Sequence, residues 1–257
     1  MSAVGETIVF VHAHPDDEAI FTGGTMARLA AAGHRVVLVV ATGGELGETP
    51  TRADGDCLAE RRRDETAAAA EVLGVARVAW LGYHDSGMAG DAANAAPGSF
   101  WSADPNAAGE RLAAVLAEEG AGAVVLYDEF GIYGHPDHVQ VHRVGCVAAA
   151  AAGVGTVYGA TVDREYLHFV ETHLVEEAIL GGDLGLVRSH IGVPSVAIDA
   201  MVDVRDVLDV KRAAMAAHAS QIPETTSALQ LPTHHFADVY GWEWYLRTGP
   251  AGPIDAL

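Results

Sequence analysis

Lysine occurs once in the 257 residues, at Lys211. A Walker-type phosphate loop needs a lysine behind its glycines, and none stands there. Lysine-based covalent catalysis could use only Lys211, which lies in a helical stretch beside Arg212, so Schiff-base chemistry is a poor fit. Cysteine is almost as scarce: Cys57 and Cys146 are far apart and match no metal or redox spacing. Two reduced thiols fit a cytoplasmic protein, with a single disulfide as the alternative. No apolar run reaches the ~20 residues that span a bilayer. The N-terminus, MSAVGETIVFVHAHPDD, lacks the basic region of a signal peptide. Gly23-Gly24 and Gly43-Gly44 do not make a GxGxxG fingerprint, so dinucleotide binding has little support. Basic residues are few, 15 Lys+Arg against 35 Asp+Glu, for a net charge of −20. Such a chain repels a nucleic-acid duplex and an anionic membrane surface. The acids are spread along the chain, which reads as a solvated acidic surface.

Half of the residues are hydrophobic, enough for a sizeable core. Apolar, β-branched runs alternate with alanine-rich amphipathic stretches. Strands are expected at Thr7–His12, Arg35–Thr42, Arg77–Leu81 and Ala123–Tyr127. Helices are expected at Glu18–Ala32, capped by Gly33, and at Leu58–Leu73, Asn106–Glu119 and Pro136–Ala151. Uninterrupted apolar strands separated by helices indicate an α/β fold with a mostly parallel sheet covered on both faces. Such sheets bind ligands beyond the carboxyl ends of their strands, where His14, Gly43, Tyr83 and Asp128 begin new segments. The second half is less regular. Thr156–Val162 and Val196–Met201 read as strands and Val204–Ala219 as a helix. The aromatics Phe236, Tyr240, Trp242, Trp244 and Tyr245 read as packing groups. Asp91–Pro105 reads as a flexible excursion bordering the site. One domain over 1–257 accounts for the chain, with a motif-bearing core at about 7–150 and a less regular part at 151–257.

The chemistry gathers at two places. After the first strand comes Ala13-His14-Pro15-Asp16-Asp17-Glu18. Adjacent carboxylates repel one another, and a nearby cation relieves that repulsion. His14 and Asp17, three apart, can be aimed at one point, leaving Asp16 for acid–base work. A helix N-cap explains one of these acids but not the cluster. After the fourth strand comes Tyr133-Gly134-His135-Pro136-Asp137-His138. Adjacent parallel strands, about 5 Å apart, would bring both clusters to one sheet edge. Two nitrogens and a carboxylate with an open position suit catalytic zinc, and they also suit ferrous iron.

The pair AHPDDE and GHPDH resembles the PIG-L/LmbE family of zinc-dependent N-deacetylases over residues 7 to 150, and more loosely over KRAAMAAHASQ, from Lys211 to Gln221. The resemblance implies a Rossmann-like α/β fold and removal of acyl groups from amino sugars. It implies His14, Asp17 and His138 as metal ligands and Asp16 as the general base that acts on a zinc-bound water. His135 would support the tetrahedral intermediate, Tyr133 would bond the oxyanion or the substrate, and Asp137 would orient His135. Arg62, Asp85 and, more weakly, Glu45 match substrate-binding positions. Among the remaining histidines, His12 reads as a packed strand residue and His84 as a pocket-lining candidate. His142 reads as a surface or supporting group, and His218 as a group that could enter the site from the C-terminal half.

The expected activity is hydrolysis of the N-acetyl amide of a small amino sugar or glycoside. The alternatives are an amidase on a mycothiol-like conjugate, a binding domain without catalysis, and a structural metal site. The segments from Glu45 to Arg61 and after Pro97 are expected to shape the acyl and aglycone pockets. Related enzymes are often oligomers, which makes a homo-oligomer admissible.

Overall fold

Ile8, Val9, Phe10 and Val11 are all buried, and so is every residue from Val36 to Ala41. A strand hidden on both faces has no use for polar alternation, which is why the sequence spells these two as continuous apolar runs. The computed structural model describes residues 5–47, 55–176 and 191–257. Its elements run in the order β1 (Thr7–His12), α1 (Gly23–Ala31), β2 (Arg35–Thr42), α2 (Gly55–Leu73), β3 (Arg77–Tyr83), α3 (Pro105–Glu119), β4 (Ala123–Tyr127), α4 (Gly131–Gly134) and α5 (Pro136–Ala152). They continue with β5 (Thr156–Thr161), α6 (Arg164–Glu176), β6 (Ala200–Asp203), α7 (Leu208–Ala217), α8 (Ser227–Gln230), α9 (Thr233–Tyr240) and β7 (Trp242–Thr248). None of the described helices is long and apolar enough to cross a membrane.

The strands form one seven-stranded sheet in the order β3-β2-β1-β4-β5-β7-β6. The first five are parallel, and β7 runs antiparallel to both β5 and β6. Alternate residues of β1 feed separate cores. Ile8 and Phe10 join Met26, Leu29 and Met215 on one face, while Val9 and Val11 join Leu112, Leu116 and Val144 on the other. Strand order reverses between β1 and β4. That leaves a crevice at their carboxyl ends, the place where doubly wound sheets bind ligands.

Two expectations need correction, and the tail of packing aromatics holds a strand that was not expected. The strand expected at Val196–Met201 begins later, at Ala200. Val196 is 95% exposed, and the Ser195 hydroxyl and amide are engaged by Asp163 and Glu165, so the apolar run is not strand-paired there. The aromatic tail contains β7, whose buried face carries Glu243 and Tyr245. A charge on the core side hid the two-residue period. Asp91–Pro105 is packed rather than a free excursion: Ser99 and Phe100 are fully buried, and Asn94 donates to the Ser86 and Met88 carbonyls. The stretch between Glu45 and Arg61 lies partly outside the described residues, at 48–54.

Glu119, in the last turn of α3, fixes the start of the sheet. It accepts hydrogen bonds from Arg35 Nε at 2.8 Å and Arg77 Nη1 at 2.5 Å. These bonds, Arg35 first, hold its pKa below the 4.5 of an unpaired glutamate. The stabilisation is therefore complete above pH 4.5 and is lost as pH falls through the lowered value. Both arginines are partly exposed, so Glu119→Gln is expected to cost only about 0.5–1 kcal/mol at pH 7. Urea titrations should show the gap between variant and parent closing as pH is taken below 4.5. A gap that persists in acid would show that packing, not charge, carries the effect.

Candidate active site

The chain leaves β1 at His12 and turns sharply through Ala13–Asp17 before a π-helical turn, Glu18–Thr22, leads into α1. The turn is held by Asp17, whose Oδ2 accepts from the His14 backbone N–H at 2.9 Å. The same oxygen lies 3.3 Å from His14 Nδ1 and 3.3 Å from His138 Nε2. Two imidazoles from distant parts of the sequence thus converge on one carboxylate oxygen. The other edge of the His14 ring faces carboxylates: Nε2 is 3.2 Å from Asp137 Oδ2 and 3.7 Å from Asp85 Oδ1. Asp137 also accepts from the Ser86 amide at 2.9 Å.

All of these groups are buried. Burial alone would push a carboxyl up, but His138 and His14 hold Asp17 well below the usual range. Burial would push His14 down, yet its bonds to Asp137 and Asp17 raise it well above 6.5. The two directions agree: the carboxylates call for positive charge at the point where the imidazoles meet. A divalent cation answers that demand, and the donor set fits one. His14, His135 and His138 each bring a ring nitrogen within 4.8 Å of the others, as do donor atoms of His14, Asp85 and Asp137. His138 Nδ1 is buried without a hydrogen-bond partner among the described residues. Asp137 sits on the His14 nitrogen that faces away from Asp17, the position from which a carboxylate would fix the ring of a ligand histidine.

The second cluster is placed by the loop after β4. Asp128 Oδ1 accepts from the amides of Phe130 and Ile132, both at 2.9 Å, and Oδ2 from the Thr161 hydroxyl at 2.5 Å. Ile132 is forced to φ 65°, ψ −59°, unusual for a β-branched residue. The turn delivers His135 to the N-cap of α5, where its Nδ1 accepts from the Asp137 N–H at 3.1 Å, and His138 follows one turn later. The Tyr127 ring stacks on His138 at 4.2 Å. The Tyr127 hydroxyl lies 3.0 Å from His12 Nδ1 and accepts from the Ala13 amide at 3.2 Å, so one side chain braces both motifs. Gly131 has φ +65°, and a Cβ there would come within 2.7 Å of His138 Cβ and 2.8 Å of the Val139 nitrogen. Gly131→Ala is therefore expected to cost about 1–3 kcal/mol and to displace His138. Calorimetry and metal retention after dialysis check this; a variant that holds its metal like the parent would count against the geometry.

Asp16 and Arg62 meet beside this cluster. Asp16 has φ 105° and keeps 18% of its side-chain surface exposed. Burial pushes it up to about 7, with Arg62 pulling down and Asp17 pushing up. Arg62 is almost wholly buried. It donates through Nη1 to Gly44 O at 2.6 Å, and through Nη2 to Pro15 O and to Asp16 Oδ2, the latter at 3.3 Å. The guanidinium, expected at the sugar, is engaged in holding the floor of the site. Asp85 accepts from the Gly87 amide at 2.8 Å. Glu45 Oε1 accepts from the Asp85 amide at 3.0 Å and pairs with His84 Nδ1 at 2.9 Å. His84 stands at the rim with 72% of its side chain exposed, lining with Glu45, Glu60, Arg63 and Tyr83 a cavity of about 320 Å³.

His135 is lowered to about 4 by burial and by His14 and His138, so a neutral imidazole faces the crevice. The Tyr133 hydroxyl, 3.4 Å from His138 Nε2, is kept protonated by burial and by Asp17, Asp16, Asp85 and Asp137. Asp137 and His135 do meet, but through the backbone. The Asp137 carboxylate meets His14 rather than His135, and His135 is set by the Asp137 backbone instead. His12 is a packed histidine with both ring nitrogens bonded, to Tyr127 and Thr22. His142 Nδ1 lies 3.0 Å from the Tyr127 carbonyl. Sequence reasoning missed Tyr127, a plain strand-end aromatic, and the anchoring role of Asp128.

The sequence matches the profile of the PIG-L family, described as GlcNAc-PI de-N-acetylase, over residues 9–149. It is similar to the 1D-myo-inositol 2-acetamido-2-deoxy-alpha-D-glucopyranoside deacetylase of Salinispora arenicola, at 37% identity over 96% of this chain and 86% of that one. The enzyme of the same name from Acidothermus cellulolyticus is 38% identical over 96% and 90%. Among solved structures, the N,N'-diacetylchitobiose deacetylase of Pyrococcus horikoshii superposes with a TM-score of 0.65 at 24% identity, covering 95% of this chain and 84% of that one. The 4-carboxy-2-hydroxymuconate hydratase GalB of Pseudomonas putida shares the fold too, with a TM-score of 0.61 at 21% identity over 96% and 98%. One fold thus hosts a hydrolase and a hydratase, so the reaction has to be argued from the side chains.

Proposed function

The chain belongs to the PIG-L family of de-N-acetylases, and from that premise we propose that it hydrolyses the N-acetyl amide of a glucosaminide joined to inositol, releasing acetate and a free amine. The observation that carries this reading is the convergence of His14 and His138 on one Asp17 oxygen, with the partly exposed Asp16 carboxylate alongside. His14, Asp17 and His138 would hold a divalent ion; their mixed nitrogen and oxygen donors suit zinc, with ferrous iron as the second choice. When bound, such an ion polarises the amide carbonyl and lowers the pKa of water to about 7.

The chain's own groups do the rest. Asp16 accepts the proton of the attacking water and returns it to the departing amine nitrogen. The Tyr133 O–H and the neutral His135 face the developing oxyanion, where each donor is typically worth ~10²–10³ in rate. Asp137 fixes the ring of His14. Asp85 and Glu45, beside the rim cavity, accept from sugar hydroxyls. To Arg62 we assign the holding of Asp16, since its Nη2 is directed there and to the Pro15 carbonyl and its Nη1 to the Gly44 carbonyl. The aglycone in this reading is neutral and rich in hydroxyls, which matches an acidic chain better than an anionic polymer would. The cytoplasm is the proposed site of action, in keeping with Cys57 and Cys146 forming no disulfide.

Amine release from three N-acetylated substrates tests the assignment: the glucosaminyl inositol, free N-acetylglucosamine and N,N'-diacetylchitobiose. The inositol glycoside is expected to lead in kcat/KM by at least about tenfold, equivalent to 1.4 kcal/mol of extra transition-state binding. Equal or better turnover of the chitobiose would overturn the substrate assignment, and failure of zinc to restore chelated enzyme would overturn the metal.

A further inference from the structure

Glu18 is fully buried, next to the proposed ligand Asp17, and the chemistry above gives it nothing to do. Its two oxygens have separate partners. Oε2 accepts from the backbone N–H of Asp16 at 3.0 Å, while Oε1 meets His218 Nε2 at 2.5 Å. His218 is also fully buried and comes from just beyond α7, 200 residues away. We propose that Glu18 and His218 form a positioning couple that holds the Asp16 peptide in its left-handed conformation and so aims the Asp16 carboxylate. This inference rests on the reading of Asp16 as the proton acceptor.

Asp16 at φ 105° is the reason a clamp is needed. An L residue in that region is strained and stays there only when its surroundings over-determine it. Here both sides of the residue are tied: its N–H to Glu18, its carbonyl to the amides of Ala19 at 3.0 Å and Ile20 at 3.1 Å. A capping role would occupy one Glu18 oxygen. The second, taken by an imidazole from the far end of the chain, goes beyond a cap.

His218 is itself held in place. The next-but-one residue, Ser220, donates through its amide and hydroxyl to Glu65 on α2 at 2.9 and 2.7 Å. Three residues earlier on the same helix, Arg62 donates to Asp16 Oδ2. One helix thus steadies the carboxylate directly and the peptide behind it through His218 and Glu18. A base displaced by ~1 Å loses about 10²-fold in rate, so the couple should be visible in kcat.

The test compares Glu18→Ala, His218→Ala, His218→Gln and Asp16→Ala in zinc-loaded enzyme, by kinetics, metal content and the Asp16 amide resonance in ¹⁵N spectra. His218→Ala and Glu18→Ala are expected to lower kcat by about 10–100-fold, with KM within about twofold and one ion per chain retained. A hydrogen bond to a carboxylate is expected to place the parent's Asp16 amide proton downfield, and Glu18→Ala should move it upfield. His218→Gln, whose amide N–H can reach the same oxygen, should recover most of the loss. Three results would each overturn the inference: Glu18→Ala turning over like the parent while Asp16→Ala is dead, metal lost together with kcat, or His218→Gln as impaired as His218→Ala. An active Asp16→Ala would instead remove Asp16 from the mechanism, and the couple's purpose with it. Should Glu18→Ala not fold, the two His218 variants decide alone, because both leave Glu18 in place.

Discussion

Asp16→Ala is expected to lower kcat by about 10²–10⁴-fold while the protein keeps its full metal complement. The expectation follows from how the neighbouring acids are occupied. Asp17 has an oxygen between two imidazoles, and Asp137 is bonded to His14 and the Ser86 amide. Asp85 accepts from Gly87 and lies against His14. Of these four aspartates, Asp16 is the one with a partly exposed carboxylate, with one arginine contact at 3.3 Å to steady it. Proton transfer occurs in the transition state, so the loss should fall on kcat and leave KM nearly unchanged. Asp16→Asn, which keeps shape without basicity, should be as inactive as the alanine variant. The contrast is His138→Ala, which should lose the ion itself. An Asp16→Ala enzyme within tenfold of the parent, or one that has shed its metal, would show that base and ligand have been exchanged.

The largest expected effect on stability lies elsewhere. Lys211 Nζ is 2.5 Å from Glu243 Oε1, and each side chain is only 1% exposed. Glu243 also receives the backbone amides of Gly24 and Thr25, both at 2.8 Å, at the first turn of α1. This one carboxylate joins β7, α7 and α1. Lys211→Met strands it without a cation, and breaking a buried pair from one side typically costs about 3–5 kcal/mol. Against a total of roughly 5–15 kcal/mol, that should lower Tm by on the order of 10 °C. Lys211→Met combined with Glu243→Gln should regain part of the loss, because no unpaired charge then remains inside. Calorimetry of the parent, single and double variants provides the cycle. A single variant within 1 kcal/mol of the parent would mean that the helix-end amides suffice to hold the carboxylate.

How much of this was legible in the sequence depended on how local the deciding interaction was. Thr7–His12, Arg35–Thr42 and Ala123–Tyr127 were readable to the residue, because burial on both faces writes itself as an unbroken apolar run. His14 with Asp17, and His135 with His138, were readable because short spacings and a parallel sheet leave few ways to arrange them. Ring edges were not: spacing alone cannot tell that Asp137 turns its carboxylate to His14 and only its amide to His135. Arg62, in the run Arg61 to Glu65, matches a substrate-binding position. Its burial is decided by two carbonyls, of Pro15 and Gly44, that no pattern within α2 announces. Glu18 with His218 and Lys211 with Glu243 are pairings across the chain. Neither partner announces the other, because the two ends of each pair lie 200 and 32 residues apart.

The lone lysine with which the composition began has a practical consequence. With its ammonium shut inside the fold, the native protein offers amine-directed reagents no side chain to modify. The rate at which an activated ester reaches Lys211 would then follow the opening of the β7–α7–α1 junction, making this residue a built-in clock for unfolding.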